Sequence, residues 1–163
     1  MTTTQTDNDT QIIIHDDVPS VTIIREFDAP AAKVFRAHVD PDLFVQWIGP
    51  DSLEESEVDT WDARSGGSWR YVSRQDDEEY WFRGCFHEVR PNEVIVQTFS
   101  FEGFPDSVAL ERLELTDLGG GRSRLVTTSM ADSFETRDAF VASGMEVGIN
   151  EGYRSLDALL ARS

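Results

Sequence analysis

Between Glu54 and Met130 the chain alternates apolar and polar positions in short runs broken by turn residues. From Ser133 to Ser163 the apolar spacing lengthens to that of a helix. The alternating runs predict strands at Glu54–Thr60, Ser68–Arg74, Tyr80–Val89, Glu93–Phe101, Ala109–Leu118 and Arg122–Met130. Their connections are short: Arg64-Ser65-Gly66-Gly67, the acidic stretch Gln75–Glu79, Pro91-Asn92 and Gly119-Gly120-Gly121. Strands joined this tightly form an antiparallel meander. Upstream, Val18–Phe27 reads as the first full strand. Asp28-Ala29-Pro30 ends it, with Asp28 as the N-cap of a short helix over Ala31–Val39. Asp40-Pro41 breaks that helix, and a second short one runs over Pro41–Trp47. The C-terminal segment divides at Gly144 into a short helix, Phe134–Ser143, capped by Ser133 or Asp132, and a long one, Met145–Arg162. Residues 1–16 are polar and predict a flexible tail, Met1–Thr10 in particular; the short apolar run Gln11–His15 is placed to pair at a sheet edge. One domain over 17–163 follows.

The fold class is therefore α+β: a curved antiparallel β-sheet gripping a long C-terminal α-helix, with two short helices after the first strand. Met145, Gly148, Ile149, Gly152, Leu156, Leu159 and Leu160 share one face of that helix. A glycine inside a helix costs roughly 1 kcal/mol relative to alanine. Gly148 and Gly152 therefore mark either room for a ligand or a close helix approach, and both need a bare face. Strand alternation directs Trp69, Tyr71 and Phe86 to the sheet's inner side, unless a β-bulge near Phe86 reverses that parity. With Phe99, Met130, Met145, Gly148 and Gly152 they form the expected ligand-cavity lining. Arg70, Arg83 and Tyr153 are candidate polar anchors; for the arginines the simpler expectation is a solvated side chain paired with one of many acids.

The chain has 163 residues and a net charge of −17, from 31 acidic against 14 basic residues. Lys33 is the one lysine. That balance repels nucleic-acid phosphates and anionic lipid surfaces, and neither is expected as a partner. No run approaches the ~18 consecutive apolar residues of a membrane-spanning helix. The first residues lack a secretion-signal pattern, which makes the cytoplasm the expected location. A single cysteine, Cys85, excludes an internal disulfide and reads as a buried or half-buried inert thiol. His15, His38 and His87 share no metal-ligand spacing, and no metal or cofactor is expected. The sequence contains no nucleophile elbow, and Gly119-Gly120-Gly121 is not followed by a lysine or a helix, as a phosphate loop would be. No catalytic set assembles, and the enzyme question leans to no.

Several ordered motifs carry a resemblance. They are Arg25-Glu26-Phe27-Asp28-Ala29-Pro30 with Val34-Phe35, Asp40-Pro41 and Trp47; Asp62-Ala63-Arg64 with Gly66-Gly67-Ser68-Trp69-Arg70; and Gly84-Cys85-Phe86-His87-Glu88-Val89 with Pro91 and Gln97-Thr98-Phe99. Gly144-Met145-Glu146 with Gly148, Leu156 and Leu159 completes them. In this order they resemble the START-like helix-grip (SRPBCC) superfamily. Within it they resemble the bacterial branch similar to the C-terminal domain of the activator of the 90-kDa heat-shock chaperone ATPase. The resemblance spans about Val18 to Arg162. It implies a cavity between sheet and C-terminal helix in which lipids, hormones, polyketides or other apolar molecules bind. It supplies no fixed catalytic motif.

The leading expectation is a binding domain for a small hydrophobic or amphipathic ligand. One alternative is an enzyme of the cyclase, hydrolase or dehydratase kind, which requires Arg70, Arg83 and Tyr153 to converge inside. Another is a chaperone-accessory or stress-response interaction protein using its acidic face toward a protein partner.

Overall fold

Alternation along the strands settles which side of the sheet is buried. In the computed structural model, which describes residues 3–7 by backbone only and residues 10–162 in full, nine strands form one antiparallel sheet. They are β1 (Thr3–Asp7), β2 (Thr10–Ile14), β3 (Ser20–Phe27), β4 (Glu55–Trp61), β5 (Ser68–Gln75), β6 (Glu78–Arg90), β7 (Val94–Phe101), β8 (Ala109–Gly119) and β9 (Arg122–Ala131). The spatial order is β1-β2-β3-β9-β8-β7-β6-β5-β4. Four helices complete the chain: α1 (Ala31–Val39), α2 (Pro41–Phe44), α3 (Phe134–Ala142) and α4 (Met145–Arg162). The expected α+β helix-grip architecture is present, with α1 and α2 carrying the chain from β3 to the far edge strand β4.

The expected N-terminal tail is corrected in part. Residues 3–7 pair with β2, and β2 pairs with β3, so the run at 11–15 is an internal strand. Thr10 and Ile12 are buried there, because β3 offers them an apolar inner face at Ile23. Residues 1, 2, 8, 9 and 163 lie outside the described ones.

Local chemistry fixes the helix ends. Asp28 does not cap α1: Pro30 holds the N-cap position, and the carboxylate of Asp117, at the end of β8, accepts from the Ala31 amide at 2.8 Å. Asp28 instead pairs with Arg122 at 2.8 Å. Asp40 caps α2 through the Asp42 amide, and Ser133 caps α3 through the Thr136 amide. Gly144 turns the chain between α3 and α4 at φ 92°, a left-handed conformation that other residues adopt at a cost.

The core lies between the sheet's concave face and the helices. One half gathers Val21, Ile23, Phe27, Leu125 and Val34 against Tyr153, Leu156, Leu159 and Leu160 of α4. The other gathers Phe35, Trp69, Tyr71, Phe86 and Ile95. Arg25 locks α4 onto β3. Its side chain is only 4% exposed and donates to both Asp157 oxygens at 2.9 and 2.6 Å, to the Thr10 hydroxyl and to the Glu26 carbonyl, while lying over the rings of Phe27 and Tyr153. Arg137 of α3 does the same at the other end, donating to the carbonyls of His15 and Ser20 at 2.6 and 3.0 Å.

Candidate functional site

Cross-strand register makes the concave face legible as transverse rows. Arg25, Leu125 and Leu115 form one, and Ile23, Thr127, Leu113 and Ile95 the next. The third runs Val21–Ser129–Glu111–Gln97–Phe86. Its middle three positions are polar, in the interior of a sheet whose flanking rows are largely apolar. Burying such groups costs free energy unless they find partners. Gln97 Nε2 donates to Glu111 Oε1 at 3.0 Å. Glu111 is half-buried by exposed area, yet its carboxyl lies deep enough for desolvation to raise its pKa, opposed by the Gln97 amide and the Ser129 hydroxyl. The Glu111 charge in turn reaches the hydroxyls of Tyr71 and Tyr153. Desolvation first and this charge second push Tyr71 above the ordinary tyrosine range. For Tyr153 the outcome is about 12, with the Thr127 hydroxyl and the Arg25 charge opposing.

Trp69 Nε1 and Asn150 Oδ1 are buried without a hydrogen-bond partner among the described residues, and the Thr127 hydroxyl has the Tyr153 hydroxyl beside it. Thr127 stands in the second row on β9, and Trp69 on β5, four strands away. Asn150 is one helical turn before Tyr153 on α4. Trp69 stacks on Tyr71 with centroids 5.7 Å apart and meets Phe99 at 5.7 Å. Phe99 is two residues along β7 from Gln97, hence on the same face. Gly84 makes room for the indole, since a Cβ there would stand 2.6 Å from Trp69 Cζ2.

The residues singled out from sequence divide. Trp69, Tyr71 and Phe86 are buried on the concave face, and Phe99 is half-buried beside them. The anticipated bulge exists, between Phe86 and Glu88. It lies past Phe86 and leaves it inward, while turning His87 out to solvent. Met145 is buried at the start of α4. Met130 is a correction: Ser129 and Leu125 hold the inward parity, so Met130 lies on the convex face, 37% exposed and opposite Leu110. Gly148 and Gly152 face the chain segment after α2. A Cβ on Gly152 would lie 3.2 Å from the Trp47 carbonyl oxygen and 3.4 Å from the Gly49 nitrogen; one on Gly148 would lie 3.6 Å from Pro50 Cδ. Close approach is thus the use of Gly152.

Of the three polar anchors, Tyr153 alone comes inside, its ring against Phe27 and Trp47. Arg70 is on the convex face, donating to Glu102 at 2.6 and 3.0 Å and lying 3.9 Å over the Trp81 ring. Arg83 is its cross-strand neighbour and is exposed. The convergence that the enzyme alternative required does not occur. Cys85 is also a correction: it is exposed, on the convex parity of β6.

Below α1 and α2 the concave face is filled rather than hollow. Phe44 touches Trp61 and Tyr71 at centroid distances of 4.9 and 5.1 Å, and Trp61 touches Phe86 at 5.9 Å. His38 is buried there too, its Nδ1 2.8 Å from the Val34 carbonyl; desolvation lowers its pKa to about 4. A solvent-open groove of about 250 Å³ lies outside, between residues 45–56 and Ser155 of α4, and none of the expected cavity residues lines it. No group of three or more metal-ligating side chains occurs among the described residues, and no helix among them is long and apolar enough to cross a membrane. The half-buried positions on the concave face, Gln97, Phe99, Glu111 and Leu113, lie across β7 and β8. These half-buried positions, in and beside the polar row, are the candidate site.

Comparison with known proteins agrees with this architecture. The family model for Activator of Hsp90 ATPase homolog 1-like proteins matches residues 28–161. An Arthrobacter aurescens protein solved by NMR is similar at a TM-score of 0.82 with 23% identity, over 99% of this chain and 92% of its own. A Rhodobacter sphaeroides crystal structure gives 0.80 with 22% identity over 98% of both chains. A Mycobacterium smegmatis protein gives 0.79 with 24% identity over 99% of both. At these identities the likeness is one of fold. No curated protein matches the chain. The fold is that of the START-like helix-grip superfamily, and the chain belongs to the Activator of Hsp90 ATPase homolog 1-like family.

Proposed function

We propose that this protein binds a small amphipathic molecule between the concave face of the sheet and the first half of α4. The observation that carries the reading is the polar row Ser129–Glu111–Gln97 across the concave face, together with Trp69 Nε1 and Asn150 Oδ1, which are buried without partners among the described residues. A buried donor or acceptor left unpaired costs about 1–3 kcal/mol. A ligand that pairs with both recovers that cost, while Trp69, Tyr71, Phe86 and Phe99 offer aromatic surface to its apolar part. Affinity gained from apolar burial is about 25 cal/mol per Å² removed from water.

The test has two arms. Protein purified without detergent is denatured and extracted, and the extract is analysed by mass spectrometry for a stoichiometric small molecule. In parallel, the thermal midpoint is followed across a library of amphiphiles, for the wild type and for Thr127→Val, which removes one polar partner. The expected result is a class of molecules that raises the midpoint in the wild type and less in the variant. A library without effect, together with an empty extract, refutes the reading.

A further inference from the structure

Glu111 is the one charged side chain in the row Val21–Ser129–Glu111–Gln97–Phe86 on the concave face. Its cross-strand partners on the concave face are an amide, Gln97, and a hydroxyl, Ser129, and its charge reaches the more distant hydroxyls of Tyr71 and Tyr153. None of them brings a positive charge. The buried cations of the described residues are Arg25 and Arg137. Each is already engaged: Arg25 by both oxygens of Asp157 with Thr10 and the Glu26 carbonyl, Arg137 by Asp138 and the carbonyls of His15 and Ser20. Arg70 and Arg74, the next least exposed, are held by carboxylates on the convex face. The buried His38 is neutral at ordinary pH, since its pKa falls to about 4. An anionic head group entering the site would therefore meet a carboxyl and no unpaired buried cation.

We infer that Glu111 is a specificity-determining residue that selects amphiphiles whose polar end donates hydrogen bonds and carries no negative charge, a hydroxyl or a protonated amine, and rejects carboxylates and phosphates. The inference rests on the candidate site being the ligand site. Two like charges in a low-dielectric space cannot both stay ionised without a penalty, whereas a donor or an ammonium finds in Glu111 an acceptor strengthened by burial. Gln97 directs its amide to Oε1 and Ser129 its hydroxyl to the same carboxyl, which with about four lone-pair sites keeps acceptor capacity for an incoming donor.

The experiment uses N-phenyl-1-naphthylamine, an uncharged fluorescent amine, as the bound reporter. Decylamine, 1-decanol and decanoate displace it, in buffer of high ionic strength so that surface charge is screened. In the wild type, decylamine and decanol are expected to bind at least tenfold tighter than decanoate. In Glu111→Gln, isosteric and able to keep the Gln97 contact, the decanoate-to-decylamine ratio is expected to fall within about threefold. Equal binding of all three by the wild type overturns the inference while leaving the ligand site standing. A ratio that persists unchanged in the variant removes Glu111 as its cause. A reporter that never binds refutes the site itself.

Discussion

The two glycines of α4 separate helix propensity from packing, and their alanine variants should move stability in opposite directions. At Gly148 the added methyl meets Pro50 Cδ at 3.6 Å, an ordinary van der Waals contact with nothing to displace. The variant then gains most of the helix-propensity difference, about 0.5–1 kcal/mol. In a chain of 163 residues this raises the thermal midpoint by roughly 1–4 °C. At Gly152 the same methyl stands 3.2 Å from the Trp47 carbonyl, with the Gly49 nitrogen and oxygen at 3.4 and 3.5 Å. These are backbone atoms and cannot rotate away. The segment is anchored by Trp47, which is 6% exposed, donates its indole N–H to the Ala37 carbonyl at 2.9 Å, and packs on His38, Phe44 and Tyr153. Overpacking of this sort costs about 1–3 kcal/mol, which exceeds the propensity gain. Gly152→Ala is therefore expected to lose about 0–2 kcal/mol net, and Gly152→Val more. Urea denaturation followed by circular dichroism, with equal m-values required, measures both. If the two alanine variants stabilise equally, the helix does not depend on close approach at Gly152 and the packing argument fails.

Acid should weaken the fold through His38. Its pKa falls from 6.5 in the unfolded chain to about 4 in the folded one, so stability is complete above pH 6.5 and is lost as pH falls, by about 3 kcal/mol at pH 4. Comparing the wild type with His38→Gln from pH 7 to 4.5 isolates this loss from that of other groups, and parallel curves would refute it. Removing the partner of Arg25 by Asp157→Ala leaves a buried guanidinium short of two charged hydrogen bonds and should cost about 2–3 kcal/mol in urea denaturation; an effect below 0.5 kcal/mol would make the lock ornamental. Leu156, fully buried on the inner face of α4, should cost about 2–5 kcal/mol as alanine, and a smaller loss would mean that α4 is loosely seated.

Much of the architecture was legible in the sequence because local signals and tertiary needs coincide. The runs at 109–119 and 122–131 alternate as sheets covered on one side must, and Gly144 and Ser133 mark helix ends by their own backbone chemistry. Where the reading missed, a distant residue decided. Asp117, eighty-six residues from Ala31, supplies the cap that Asp28 was expected to provide. The run at 11–15 reads as an edge strand until the polar residues 3–7, which carry no apolar signal, pair along its outer side. Met130 misled because one step of parity separates the two faces of a strand, and nothing near it in sequence fixes which step is inward. The candidate site was read by half. The aromatics were found by their bulk, but Glu111, Gln97, Thr127, Ser129 and Asn150 were passed over. One signal existed: Glu111 shares the parity of Leu113 and Leu115, which places a carboxylate on the side those leucines bury. The apolar Leu110, on the opposite parity and 52% exposed, obscured it.

The distribution of charge carries the same argument from the outside in. The excess of acids sits on the surface, where arginines are shared among several carboxylates. Arg74 serves Glu55, Glu57 and Glu79, Arg70 serves Glu102 and Asp59, and Arg122 and Arg124 both serve Glu26. Exposed pairs of this kind contribute little to stability. Their consequence is a net charge of −17 that lowers the concentration of anions near the protein and raises that of cations. The interior repeats that preference at short range, with a carboxyl at Glu111 and its buried arginines already engaged. The outer effect fades within a Debye length of about 8 Å at physiological salt, whereas the inner one is shielded from salt by burial. A head-group preference that persists at high salt therefore belongs to Glu111, and one that vanishes with salt belongs to the surface.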